Sequence, residues 1–250
     1  MATTFDRRRI QAPEDSYPPI VENLAASSSK QTDPGAVFTA DLKTGLVTQA
    51  NGSAYIEASG VKIACSAFGP RPKPPPYSPQ GSLNVEVKFA PFASKARRAP
   101  LRDTEPVNHS VLLTQLLLPS LRLHLLPKLS IDVHLLVLEG DSDAAVLSAG
   151  LTACSAAIAD AGIPMSGLTV GSSVASIDHS LLLNPTASDI SSSQAAVTVG
   201  AMPALGKVTS FHFVGEADLD DACKMVELGV TGAKTTHAVL AQALVEGSTA

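Results

Sequence analysis

A cluster of basic residues offers the clearest chemistry of any segment in the chain. Lys95, Arg97, Arg98 and Arg102 lie within APFASKARRAPLRD (90–103). Such side chains bind the phosphate groups of nucleic acids electrostatically, with a strong salt dependence and without reading the base sequence. The pattern predicts a local phosphate-binding loop. A solvated basic loop, or cations paired with acids of a neighbouring chain, is an alternative of equal weight.

The cysteines and histidines do not form a metal or nucleophile motif. Cys65, Cys154 and Cys223 are far apart, odd in number and free of any CxxC pair, so we expect neither zinc nor a disulfide framework. Three reduced thiols in an intracellular protein fit this pattern. The six histidines lack ligand spacing, and His134 and His212 fall in predicted strands, where we interpret them as core or rim residues. No Ser–His–acid arrangement is present, and we expect no metal and no cofactor.

Composition limits the class of protein. The 250 residues are 45% hydrophobic and 16% charged, enough to bury a sizeable core and too apolar for disorder. No apolar stretch is long enough to span a bilayer, and no signal peptide is visible at the start. The net charge of −5 argues against nucleic-acid binding over the whole surface, and aromatic residues at 4% argue against base-stacking platforms. The mean hydropathy of +0.19 indicates surface that a partner covers.

The first half of the chain reads as an arm followed by strands. Residues 1–40 are predicted to form a partly extended N-terminal arm, and 41–250 a single domain. Asn51-Gly52 predicts a hairpin turn between GLVTQ and SAYIEA. The alternating VKIACSAF strand is expected to end at Gly69-Pro70, and LNVEVKF shows the cleanest alternation of all.

The second half alternates long helices with strands. Residues 107–126 predict a Leu-rich helix interrupted at Pro119. After the strand LSIDVHLLVLE comes a helix of small residues with N-cap candidates at 141–143 and Gly162 as its C′ residue. Three or four strands and a last helix, with acids at 216–221 on its N-terminal turn, complete an α+β layout with a hint of internal duplication.

Six segments form a series that is specific in order and spacing, although each alone is weak. They are DRRRI near the start, NGSAYIEASGVKIACSAFGPR (51–71), APFASKARRAP (90–100), LSIDVHLLVLEGD (129–141), LTACSAAIADAGIPM (151–165) and VTVGAMPALGKV (197–208). In this series the chain resembles the RNase PH family, and more narrowly the RNase PH-like ring subunits of the RNA exosome. The resemblance implies an α+β, RNase PH-like fold of duplicated β-α units, with helices packed against mixed sheets.

The resemblance also implies where a phosphorolytic site would lie. Active family members hold phosphate with a Ser/Thr-Arg pair at the start of the Ala-rich helix, and those positions are Ala145 and Val146 here. Their acidic D-L-x-x-x-E-D segment corresponds to LLLNPTASDI, which places Asn184 at the first acid and Ile190 at the last. An amide is no base at neutral pH. A one-residue shift would give the last position to Asp189, which we interpret instead as a turn residue.

The basic loop is retained where the catalytic positions are not. In related ring subunits, the loop matched here by Lys95, Arg97 and Arg98, though not by Arg102, lines a pore that single-stranded RNA threads. Residues 7–9, all arginine, match an N-terminal family element that either packs at an interface or faces RNA.

The leading hypothesis is a non-catalytic ring subunit that scaffolds the ring and guides RNA to a nuclease on another chain. The resemblance implies other RNase PH-like subunits in a six-membered ring, OB-fold and KH cap subunits, single-stranded RNA and an associated exosome nuclease as partners. It implies the nucleus, nucleolus and cytoplasm as locations, and no membrane. Two alternatives remain: a phosphate-dependent exoribonuclease with a displaced site that uses Arg97 or Arg98, and a protein-interaction domain without RNA contact.

Overall fold

The computed structural model describes residues 41–58, 60–94, 97, 107–177 and 180–249. In it a mixed five-stranded sheet and an antiparallel four-stranded sheet enclose one central helix. The first sheet has the order β1-β2-β3-β5-β4, with β4 parallel to β5 and the other pairs antiparallel. Its strands are β1 (Asp41–Thr44), β2 (Gly52–Ala58), β3 (Val61–Pro72), β4 (Ser82–Phe89) and β5 (Leu129–Gly140). The predicted N-terminal arm, residues 1–40, lies outside the described residues.

The second sheet has four strands in the order β7-β6-β8-β9, all antiparallel. They are β6 (Val170–Ile177), β7 (Ser180–Leu183), β8 (Ala195–Met202) and β9 (Lys207–Gly215). The sequence predicts three or four strands for this part of the chain, and the structure has four. Each group of strands is followed by a long helix, as the predicted duplication requires.

Within the described residues, four α-helices pack on these sheets: α1 (Val107–Leu117), α2 (Asp143–Asp160), α3 (Ala187–Ser192) and α4 (Leu219–Thr249). α2 packs against β2 and β3 on one side and β6 on the other, so it is the core of the fold. By length and composition α2 could cross a membrane, but 72% of it is buried inside the protein, as in the core helix of a globular domain. Short 3₁₀ turns at Leu118–Ser120 and Leu123–Leu125 follow α1, which confirms the interruption predicted at Pro119.

The small residues of α2 let both sheets approach its backbone closely. A Cβ at Gly171 of β6 would overlap the backbone of Ser148, and a Cβ at Gly52 of β2 would overlap that of Ala157 and Ala161. Ser142 is the N-cap of α2 and Gly162 follows its C-cap with a φ of +68°, as predicted. The helix ends are thus set locally, while its position is set by glycines on both sides.

Two details of the predicted strands are wrong. Residues 45–51, including GLVTQ, connect β1 to β2, so Asn51-Gly52 is not a two-residue hairpin turn: Gly52 is needed for close packing, and Asn51 Oδ1 accepts a hydrogen bond from Gly69 N at 3.1 Å. β3 also continues past Gly69-Pro70 to Pro72. An irregularity in register between Phe68 and Arg71 lets the strand resume pairing beyond the proline.

Candidate functional site

The start of α2 holds the two positions where the resemblance places the phosphate grip. Ser142 Oγ accepts a hydrogen bond from Ala145 N at 3.3 Å, and Val146 N donates to Ser142 O at 3.0 Å. The side chain of Val146 is buried, with 1% of the residue exposed, and it packs beside Gly140. Neither Ala145 nor Val146 carries a group that can bind an anion.

Asn184 lies directly after β7, in a left-handed turn. Its φ is 52°, a conformation that asparagine tolerates better than most residues. Its backbone N–H donates to Ser173 O at 2.8 Å, and the following Pro185 is buried. The turn leads the chain from β7 towards α3 and brings Asn184 beside the start of α2.

Ala145 and Asn184 line one small gap where α2 meets both sheets, since Ala58 and Val61 of the first sheet line it too. The gap has a volume of about 20 Å³ and is also lined by Ser148, Ser173 and Pro185. A space of this size holds a water molecule. The structure therefore brings these two predicted positions together at one narrow gap.

The carboxylates nearest this gap are engaged in helix capping. Asp189 Oδ2 accepts hydrogen bonds from Thr186 N at 2.9 Å and Thr186 Oγ1 at 2.8 Å, in a capping box at the start of α3. Asp141 Oδ2 accepts from Ala187 N at 2.7 Å. Asp189 therefore lies in the first turn of a helix and not in the turn that the sequence predicts, and its carboxylate caps that helix.

Ile190, the other predicted acid position, lies on α3 and lines a separate, larger cavity. This cavity has a volume of about 860 Å³ and is bounded by α1, the start of α2, α3 and the strands β8 and β9. Its apolar walls include Val111, Leu112 and Leu147. Among the described residues that line it there is no lysine or arginine, and its acids are Asp141 and Asp143.

Two histidines that the sequence could not connect lie on walls of this larger cavity. His109 Nε2 is 3.3 Å from Asp143 Oδ1, and its ring contacts Phe89 edge-on, with centroids 5.7 Å apart. His212 lines the wall formed by β9. No group of three or more His, Cys, Asp or Glu side chains in the described part of the chain could hold a metal ion. Residues so distant in sequence give no local signal of such a meeting.

The basic loop begins beside the start of α2. Gly140 N donates to Ala93 O at 2.9 Å, and Ala90 N donates to Val137 O at 2.9 Å, so β5 anchors the segment that leads into the loop. Arg97 is exposed. Lys95, Arg98 and Arg102 lie outside the described residues, as do Arg7, Arg8 and Arg9.

Comparison with known sequences places the chain among exosome proteins. A profile of the 3′ exoribonuclease family, RNase PH domain 1, matches residues 39–164. The chain is 34% identical to the human exosome complex component MTR3, with 97% of this chain and 96% of the relative covered. It is 33% identical to mtr3 of Schizosaccharomyces pombe, with 96% and 95% covered. The segments APFASKARRAP and AIADAGIPM predict a likeness to the eukaryotic mRNA-transport-regulator exosome component. The MTR3 relatives confirm that likeness.

The chain is also similar to archaeal proteins and to solved structures. It is 33% identical to the exosome component Rrp41 of Thermococcus kodakarensis, with 82% of this chain and 83% of the relative covered. The crystal structure of rice Rrp46 superposes with a TM-score of 0.73 at 17% identity, covering 85% of this chain and 97% of that one. An Archaeoglobus fulgidus exosome structure with RNA bound to the active site gives a TM-score of 0.68 at 16% identity, covering 80% and 88%. The structural likeness confirms the RNase PH-like fold.

Proposed function

This chain belongs to the 3′ exoribonuclease (RNase PH) family, and on that premise we propose that it is a non-catalytic ring subunit of an exosome core. The relatives that match nearly its whole length are named exosome complex components. Its place in such an assembly would be that of a scaffold that helps close the ring and guides RNA towards a nuclease on another chain.

The observation that carries the non-catalytic part of the proposal is the chemistry of the side chains at the expected site: Ala145 and Val146 are apolar, Val146 is buried, and Asn184 is an amide. Phosphorolysis needs a bound phosphate ion, an RNA phosphodiester placed in line with it, and a carboxylate for proton transfer or a magnesium ion. The side chains of Ala145 and Val146 offer no cation or hydrogen-bond donor for the phosphate ion, and the amide of Asn184 cannot act as the base. The nearby carboxylates of Asp141 and Asp189 accept hydrogen bonds from backbone amides, which supports a structural role for both.

RNA guidance is proposed for the basic loop. Arg97 is exposed, and the loop that carries it starts next to α2, on the side where family members hold their site. A few cations suffice to guide a strand through phosphate contacts without sequence preference. The partners proposed for this role are RNase PH-like ring subunits, OB-fold and KH cap subunits, single-stranded RNA and an exosome nuclease, in the nucleus, nucleolus and cytoplasm.

The catalytic part is tested with 3′-end degradation of a labelled single-stranded RNA in the presence of inorganic phosphate and Mg²⁺. We expect no phosphate-dependent trimming by the chain alone, and no change in trimming by the assembled ring when Asn184→Ala or Asp189→Asn replaces the wild type. Trimming that requires phosphate and is abolished by either substitution would establish the active-enzyme alternative instead.

RNA contact is tested by crosslinking single-stranded RNA to the assembled ring. The triple variant Lys95→Glu, Arg97→Glu, Arg98→Glu should crosslink several-fold less, and the difference should shrink at high salt. A matched control makes the same charge change at three exposed lysines elsewhere, Lys43, Lys73 and Lys234. Equal crosslinking by both triple variants and the wild type would favour the interaction domain without RNA contact.

A further inference from the structure

Strand β9 is the outer strand of the four-stranded sheet, and one of its two edges has no partner in the described part of the chain. It pairs with β8 on one side, and no residue of β9 is buried, whereas seven of the eight residues of β8 are. Apart from the ladder with β8, no backbone hydrogen bond links residues 207–215 to the rest of the described structure. β9 therefore offers a row of amide and carbonyl groups to an added strand.

The other three sheet edges are closed or too short to extend. α1 packs against β4, and Ser110 Oγ of α1 accepts a hydrogen bond from Val87 N of β4 at 3.2 Å, so one amide of that edge is satisfied by a helix side chain. α4 packs against β1, where a Cβ at Gly247 would overlap the side chain of Thr44. β7 has four residues. β9 has nine; α1 packs against it, but no backbone hydrogen bond in the described residues is made along its outer edge.

The exposed apolar residues concentrate around this same strand. Of the thirteen exposed large hydrophobic side chains in the described residues, five lie between positions 205 and 219: Leu205, Val208, Phe211, Val214 and Leu219. Phe211 is 59% exposed and Val214 is 56% exposed. Proteins protect a free edge with lysines, prolines or charged side chains along the strand; β9 has no proline, and Lys207 at its first position is its one lysine.

Charges at the two ends of β9 specify the direction of a partner strand. Lys207 opens the strand, and Glu216 and Asp218 follow its last residue. An antiparallel partner strand that begins with a cation would place that charge against the acids, and an acid after its end would lie near Lys207.

We propose that β9 is a docking edge for an antiparallel strand of a neighbouring ring subunit. That strand carries apolar side chains opposite Val208, Phe211 and Val214 and a lysine or arginine at its N-terminal end. A chain of the same fold has an equivalent outer strand to supply. The identity of the partner rests on the function proposed above, whereas the docking edge rests on the geometry of β9.

The test is reconstitution of the ring from co-expressed subunits, with assembly measured by light scattering after size-exclusion chromatography. The variant Phe211→Glu, Val214→Glu puts two acids on the edge and should lower incorporation at least tenfold, while circular dichroism and the melting temperature stay close to wild type. The matched control Leu46→Glu, Leu136→Glu makes the same change at two side chains that are 56% and 41% exposed and lie away from β9. It should incorporate normally.

Hydrogen exchange on the wild-type chain supplies an independent readout. Amides of residues 208–214 should exchange at least tenfold more slowly in the ring than in the free chain. Normal incorporation of the edge variant, with no added protection on β9, would overturn the docking edge and leave the proposed function intact. A wild-type chain that enters no ring would overturn the proposed function, and a homodimer broken by the edge variant would then overturn the ring subunit as the partner.

Discussion

The outer face of the five-stranded sheet and the outer edge of the four-stranded sheet are both open to solvent, yet their residues differ in kind. On the face, Lys62 bridges Glu57 at 3.5 Å and Glu139 at 3.2 Å, and Glu86 pairs with Lys88 at 3.0 Å. The edge strand β9 shows side chains such as Phe211 instead. Paired charges suit permanent contact with water, while a bare apolar edge suits cover by another chain. The comparison separates a surface suited to solvent from one suited to contact with another chain.

The inner sides of the two sheets are alike, and this likeness is open to the strongest test. Gly52 in one sheet and Gly171 in the other each touch the backbone of α2. Gly52→Ala and Gly171→Ala should each lower the free energy of unfolding by more than about 3 kcal/mol, because the added Cβ overlaps backbone that cannot move aside. Urea unfolding followed by circular dichroism measures the change.

Gly150→Ala is the matched control within α2 itself. Its Cβ would lie 3.5 Å from Leu135 and 3.6 Å from Leu113, which are ordinary contacts. The substitution should stabilise the protein by about 0.5–1 kcal/mol through helix propensity. Equal effects at all three glycines would contradict the view that both sheets depend on close approach to α2.

The edges themselves are compared by opening one that is closed. Ser110→Ala removes the acceptor for the buried Val87 N–H and should cost about 1–3 kcal/mol, the range for a buried donor left unsatisfied. Hydrogen exchange at Val87 should accelerate, while exchange along β9 in the free chain stays as it was. Thr114→Ala, one turn further along α1, removes a hydroxyl that bonds only Ser110 O and should leave Val87 protected.

Removing the N-terminal cap of α3, a helix that packs against the four-stranded sheet, should lower the free energy of unfolding by a smaller amount. Thr186→Ala removes the hydroxyl that accepts a hydrogen bond from Asp189 N. It also removes the hydrogen bond that this hydroxyl donates to the Asp189 carboxylate. The expected loss is about 1 kcal/mol in urea unfolding. Ser191→Ala, which affects only a hydroxyl bonded to Ser188 O, should change stability little. A loss of the same size in both variants would argue against the capping box.

Local features of the fold could be predicted from the sequence, and long-range ones could not. Ser142 and Gly162 mark the ends of α2 because caps are encoded within a few residues. Gly52 was misplaced in a hairpin turn because a glycine needed for a close approach looks the same as one needed for a turn. The large cavity joins His109 to His212, and the edge of β9 is visible only once strand order is known.

The candidate site divides in the same way. Ala145 and Asn184 were paired through family resemblance, since nothing in their separate segments indicates that they meet, and the structure places them at one gap. The smallness of that gap follows from the packing of α2 against the sheet, which no single segment encodes. The apolar character of Val146 was readable from its letter alone; its burial was not.

The smallest expected effect on stability comes from the ion pairs on the solvent-exposed face of the five-stranded sheet. A hydrogen bond from Lys88, and a second contact with His134 at 2.7 Å, lower the pKa of Glu86 below its ordinary value, although partial burial opposes them. A carboxyl with a lowered pKa stabilises the fold above its unfolded-state pKa, and that contribution is lost as the pH falls through the folded value. Because the side chain of Glu86 is 41% exposed, solvent screening keeps the contribution within about 0.5 kcal/mol.

Lys88→Ala should raise the pKa of Glu86 in an NMR titration and flatten the acid limb of the stability curve. Lys73→Ala, an exposed lysine of the loop after β3, is the control. A Glu86 pKa that is the same in both variants would mean that ion pairing does not distinguish this face from the edge of β9. Hydration of the charged side chains alone would then account for the solvent-exposed face.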